Sequence, residues 1–105
     1  MGLQLPSFGS TERRLRDTSR RLARAREELA VLDEQSGAVN DVYDDVALDA
    51  AVSDNSVSRR EAAEAKKHVD ATSRRRQELV ATVADLQAKL DQLLDHLPSP
   101  GSRSN

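Results

Sequence analysis

Leu79, Val83, Leu86, Leu90, Leu93 and Leu97 recur at alternating steps of four and three. That spacing lays one narrow apolar stripe along a long polar helix and forms the seam of a coiled coil. A helix so patterned cannot bury its stripe alone, so another segment of the chain or a second copy must lie against it. Upstream, the same rhythm runs through Ala62, Ala65, Val69, Thr72 and Arg76. An earlier stretch carries it through Leu15, Thr18, Leu22, Ala25, Leu29, Leu32, Ser36, Val39, Tyr43, Val46, Ala50 and Ser53. The rhythm crosses Gly37 without a phase shift. An interior Gly costs a helix only about 1 kcal/mol relative to Ala, so the pattern predicts one helix over about 11–53, with a break at Ser36-Gly37 as the alternative.

The punctuation between and around these stretches sets the boundaries. Residues 1–9 contain Pro6 and Gly9 and read as a flexible arm, with Ser10 or Thr11 as N-cap of the first helix. Asp54-Asn55-Ser56 is turn chemistry, and Ser58 with Glu61 fits a capping box. The turn is therefore expected at about 54–58 and the second helix at about 59–97. Pro98, Pro100 and Gly101 end it, leaving 98–105 as a disordered tail. Helices of about 43 and about 39 residues, roughly 60 Å each, suit an antiparallel hairpin. The predicted fold is all-α: a long antiparallel two-helix coiled-coil hairpin over 10–97.

Charge supports that fold. Residues 13–26 hold seven arginines and one acid, whereas 27–54 hold nine acids and no base. Residues 59–76 return seven bases against three acids, and 77–97 are acidic on balance. Folded at residue 55 or 56, the basic start of the first helix is expected to meet Asp85, Asp91 and Asp95. Its acidic second half is expected to meet Arg59, Arg60, Lys66, Lys67, Arg74 and Arg75. Such blockwise complementarity selects an antiparallel register and disfavours a parallel in-register dimer. Arg76, at a seam position, should snorkel toward an acid on the first helix. The seam is Leu-rich near the termini and poorer toward the turn, so the distal half should pack more weakly. Val80 and Leu94 flank the seam, and Leu48 and Val52 lie off it. Two hairpins joined as a four-helix assembly would cover them, which makes a homodimer the expected state.

Composition narrows the function classes. With 37% apolar and 2% aromatic residues in 105 there is too little bulk for an ordinary globular core. No cysteine is present, which excludes disulfides and thiolate metal sites. No apolar run reaches the roughly 20 residues of a membrane span. MGLQLPSFG lacks a secretory leader, and Pro6 stands where a myristoylation signal needs Ser or Thr. The expected compartment is the cytoplasm. The Arg-over-Lys bias, with abundant Ala, Asp and Val, suggests a GC-rich bacterial genome.

Asp41, Asp44, Asp45 and Asp49 form the densest acidic cluster, and Asp54 adds to it at the turn. They are the candidate surface for a basic protein partner, with balance against 59–76 as the structural explanation. His68, one turn after Glu64, has no second His nearby, and His96 in a last helical turn interacts well with the helix dipole. The arginines of 13–26 could grip phosphates, but nucleic-acid grooves add aromatics or a recognition fold. A net charge of −2 gives no general affinity for nucleic acid. The arm with Leu3, Leu5 and Phe8 could touch a membrane or a partner. A two-helix rod offers no enclosed pocket for catalysis, so a non-enzymatic binding or scaffolding module is expected, with no cofactor and no metal.

The run REELAVLDEQ, then LDAAVSDNSVSRREAAEAKKHVDA, then a Leu-rich end in QLLD, resembles small actinobacterial coiled-coil proteins. That resemblance covers most of the chain and implies the hairpin alone. GAVNDVYDD, residues 37–45, is similar to the tip motif of Gre-type transcript-cleavage factors in its Gly and scattered acids. This implies a hairpin inserted into the RNA polymerase secondary channel to hold a metal ion. The expected turn here carries only Asp54 where Gre tips pair two acids, and no globular docking domain is expected in the chain.

Overall fold

In a computed structural model, which describes residues 5–97 and their side chains from Gly9 onward, the chain is an all-α helical hairpin. Helix α1 spans Leu5–Ser53 and helix α2 spans Ser56–Asp95. Helix α1 is continuous through Gly37, as the unbroken rhythm predicts. It begins earlier than expected, so residues 5–9 belong to the helix and not to an arm. The physical reason is Pro6: in the first turn its missing N–H would have no intrahelical partner, and its fixed φ suits the helix. Ser10 and Thr11 therefore sit inside α1 and not at its start. The rest of the expected arm and the tail at 98–105 lie outside the described residues.

The turn is tighter than the capping-box reading allows. Asp54 adopts a left-handed φ of 48°, a conformation that Asp tolerates better than most residues. Its N–H donates to the Ala50 carbonyl at 3.0 Å and closes α1. The next residue opens α2: the Asn55 side-chain Oδ1 accepts the Ser58 N–H at 2.8 Å, and the Asn55 carbonyl accepts the Arg59 N–H at 3.1 Å. Asn55 is thus the N-cap, three residues before the expected cap at Ser58. At the far end, His96 and Leu97 tighten into bonds to the Leu93 and Leu94 carbonyls, at 3.1 and 3.2 Å. Such a narrowed last turn is a usual way of satisfying terminal carbonyls.

The chain forms two compact units, Met1–Arg26 with Ala81–Asn105, and Glu27–Val80. In the first, Leu22, Ala25 and Leu86 are buried together, with Val83 and Leu90 packed against them. Thr18 is also buried on this seam, and no buried side-chain polar atom among the described residues lacks a hydrogen-bond partner. Arg26 Nη2 donates to Gln87 Oε1 at 2.7 Å, and Gln87 Nε2 donates to Asp91 Oδ1 at 3.1 Å.

In the Glu27–Val80 unit the buried hydrophobic residues are Ala65 and Leu79. Leu29, Leu32, Ser36, Val39, Tyr43, Val46, Ala50, Ala62, Val69 and Thr72 are partly buried along the same seam. A fully buried Leu or Val contributes roughly 1.5–3 kcal/mol, and Ala or Ser far less. This seam accordingly leans on small and half-covered side chains. Its two exposed seam positions are Ser53 beside the turn and Arg76. The Arg76 guanidinium does reach an acid of α1, bonding through Nε to the Asp33 carboxylate.

Candidate functional site

The geometry of Glu27–Val80 decides what its acids can do. Counting the seam as heptad positions a and d, Glu28 takes position g and Asp33 position e on α1, flanking the seam. Cations of α2 reach those two: Arg75 Nη2 lies 3.0 Å from the Glu28 carboxylate, and Arg76 bonds Asp33. Arg75 also contacts Glu78 of its own helix at 3.3 Å. The remaining pairs are local. Lys67 contacts Glu64 at 3.3 Å, Lys66 contacts Asp70 at 3.7 Å, and Arg59 contacts Asp54 at 2.7 Å.

Asp41, Asp44, Asp45 and Asp49 are therefore not neutralised as the charge blocks suggest. All four are exposed, and among the described residues none forms an ion pair. Asp41, Asp44 and Asp45 occupy outward heptad positions on α1, beyond the reach of side chains on α2, while Asp49 flanks the seam near the turn. The fifth candidate, Asp54, differs: its carboxylate is taken up by Arg59, and its backbone makes the turn. Of the six seam residues from Leu79 to Leu97, Leu79 and Leu86 are buried and Val83, Leu90, Leu93 and Leu97 partly so. Their stripe is used within the hairpin.

The outer face of α1 carries a second heptad-spaced row. Val31, Glu34, Ala38, Asp41, Asp45, Leu48 and Val52 follow one another at steps of three and four. Every one of them is exposed, Leu48 at 64% and Val52 at 77%. Val57, in the first turn of α2, is exposed at 61%. From sequence, Leu48 and Val52 read as off-seam residues and the aspartates as a charge cluster. The signal that joins them, a 3-4 spacing on the face opposite the seam, is present but masked by the stronger Leu rhythm.

Elsewhere, the expected meeting of the arginines at 13–26 with Asp85, Asp91 and Asp95 does not produce ion pairs among the described residues. Arg13, Arg16, Arg20 and Arg24 fall on outward positions of α1, and Asp91 accepts from Gln87. His68 lines a shallow apolar groove with Ala38, Val39, Val42 and Ala65. His96 Nδ1–H donates to the Gln92 carbonyl at 2.7 Å, satisfying one of the last carbonyls of α2. Among the described residues, no group of three or more His, Asp or Glu side chains is placed to hold a metal ion. No described helix is long and apolar enough to cross a membrane. Comparison with family models, curated proteins and solved structures finds no match to this chain.

Proposed function

We propose that the hairpin is a non-enzymatic protein-binding module that docks a basic amphipathic helix of a partner along the outer face of α1. The observation that carries this reading is the exposed row from Val31 to Val52, which mixes apolar side chains with carboxylates that form no ion pair among the described residues. A helix laid into such a row supplies apolar anchors one or two turns apart. Its cations meet Asp41 and Asp45, which steers encounter and fixes register.

The test is a crosslinked affinity pulldown from the cytoplasm of the source cell, wild type beside Asp41→Asn/Asp45→Asn/Leu48→Ser. A basic partner captured by wild type and lost with the variant, at unchanged helicity, supports the docking face. A partner that the variant retains places the site elsewhere. Recovery of the chain alone favours a second reading, self-association through Val80 and Leu94, which are 42% and 51% exposed. Sedimentation of a Val80→Ser/Leu94→Ser variant separates that reading from the first.

A polymerase-channel role of the Gre type would draw on free carboxylates at the turn. Asp54 is committed there to Arg59, which weighs toward the helix-docking reading. A peripheral membrane role would rest on residues 1–9, and liposome flotation with and without them isolates it.

A further inference from the structure

The Arg-rich unit holds a second surface, unrelated to the outer face of α1. An open groove between α1 and α2 is walled by Arg14, Asp17, Arg21, Lys89, Gln92 and His96. Arg14 and Arg21 are at heptad position g of α1, and Lys89 and His96 are at position g of α2. When two helices run antiparallel, the g flanks face each other. In Glu27–Val80 the same flank is occupied by Glu28 and Arg75, which form an ion pair. Here bases face bases, an arrangement that is destabilising unless an anion bridges it. Among the described residues no carboxylate forms an ion pair with Arg14, Arg21 or Lys89, although Asp17 stands on the same wall.

We propose that this groove binds a small anion carrying two or more phosphoryl groups. Guanidinium forks take phosphoryl oxygens in pairs of parallel bonds, and the Lys89 ammonium adds a mobile point charge. Arg14 and Arg21 are seven residues apart, roughly 10 Å along the helix, a span suited to several linked phosphoryls. Arg13, Arg16 and Arg20 continue the cationic surface beside the groove and raise the local concentration of anions. No Phe, Tyr or Trp lines the groove, so it lacks the broad aromatic platform on which bases stack. The phosphoryl groups are what is read. Residues 5–26 with 81–97 carry eight bases against five acids, whereas 27–80 carry seven against thirteen, so anions are drawn to the first set.

Such a ligand is either a free oligophosphate or the headgroup of a phospholipid, and two probes distinguish the sources. The full chain is titrated calorimetrically with inorganic tripolyphosphate, and separately floated with phosphatidylcholine vesicles with and without cardiolipin, whose headgroup carries two phosphoryl groups. Arg21→Gln/Lys89→Gln is the test variant, and Arg60→Gln/Arg74→Gln, at two exposed bases without ion pairs, is the control. The expected result is binding by wild type and control, at least roughly tenfold weaker in the test variant. The unliganded test variant should also melt higher than wild type, because facing charges have been removed. Flotation without tripolyphosphate binding assigns the phospholipid source, and the reverse assigns the free one. If wild type binds neither probe, or the control loses as much as the test variant, the site is overturned. If the double variant loses helicity, Lys89→Gln alone carries the same comparison.

Discussion

Arg75 and Glu28, 47 residues apart in the sequence, are joined across the hairpin by a contact of 3.0 Å. Hydrogen bonds to Glu28, the larger cause, and to Glu78 hold the Arg75 guanidinium pKa above its ordinary value. Arg75 and Glu28 both occupy the g flank, while Arg26 and Gln87, bonded at 2.7 Å, both occupy the e flank. Flanking positions of the same letter meet only when one helix is reversed. These two contacts therefore report the antiparallel register directly, each in its own unit. Both side chains of the Arg75–Glu28 pair are about half exposed, so it should select register more than it adds stability. Arg75→Glu is expected to lower the melting temperature, and adding Glu28→Arg to the same chain should restore it. Thermal melts followed by circular dichroism at low and moderate salt check this, with the rescue shrinking as salt rises.

Stability should be concentrated in the Leu22–Ala25–Leu86 cluster. Leu86 is 7% exposed and packs with both of the others. Leu86→Ala is expected to cost about 2–5 kcal/mol, the range for emptying a buried leucine site. Leu86→Asp, which places an unpaired charge in the same site, should leave the chain unfolded. Urea melts followed by helicity measure both. Wild-type stability in either variant would show that this cluster does not hold the hairpin.

The seam was legible because a period of 3.5 residues repeats too often to arise without a packed stripe. Of its positions, Ser53 and Arg76 alone are exposed among the described residues. Boundaries were less legible, since Pro6 reads as a breaker although a first helical turn accepts it, and Asn55 competes with Ser58 for the cap. The charge blocks misled most. Net charge over a segment says which halves attract, but heptad position says which side chains can touch. Glu28 and Asp33 flank the seam and are paired, whereas Asp41, Asp44 and Asp45 point away and are not. The same distinction turns the arginine block, expected to be neutralised by Asp85, Asp91 and Asp95, into a surface that faces solvent and a cationic groove.

Gly37 tests the continuity of α1. A Cβ added there would meet no atom within 4 Å, and the position is helical with an ordinary backbone. Gly37→Ala should therefore stabilise the hairpin by about 1 kcal/mol, through helix propensity and a less flexible unfolded chain. Denaturant melts compare the two. Destabilisation by Gly37→Ala would mean that the helix bends at this position or packs there against something further.

The turn supplies the last prediction, and it discriminates between two caps. If Ser58 and Glu61 began α2, Ser58→Ala would remove the cap and Asn55→Ala would be nearly neutral. In the structure, Asn55 Oδ1 accepts the Ser58 backbone N–H at 2.8 Å, and the Ser58 hydroxyl is not what holds that end. Asn55→Ala is expected to cost about 1 kcal/mol, with Ser58→Ala close to neutral. The loss should be local at first, because the adjoining seam rests on partly buried Ala50 and Ala62. Hydrogen exchange in Asn55→Ala should accelerate at Ser58 and Arg59, whose amides bond to Asn55, before any change reaches the Leu86 cluster. Equal costs for the two substitutions, or faster exchange starting at the opposite end, would assign the cap to other residues. Asn55→Asp sharpens the comparison: it keeps an acceptor oxygen and places a negative charge at a helix N-terminus, where the dipole favours it. That variant should retain the cap, with its advantage falling as the carboxylate protonates below about pH 4.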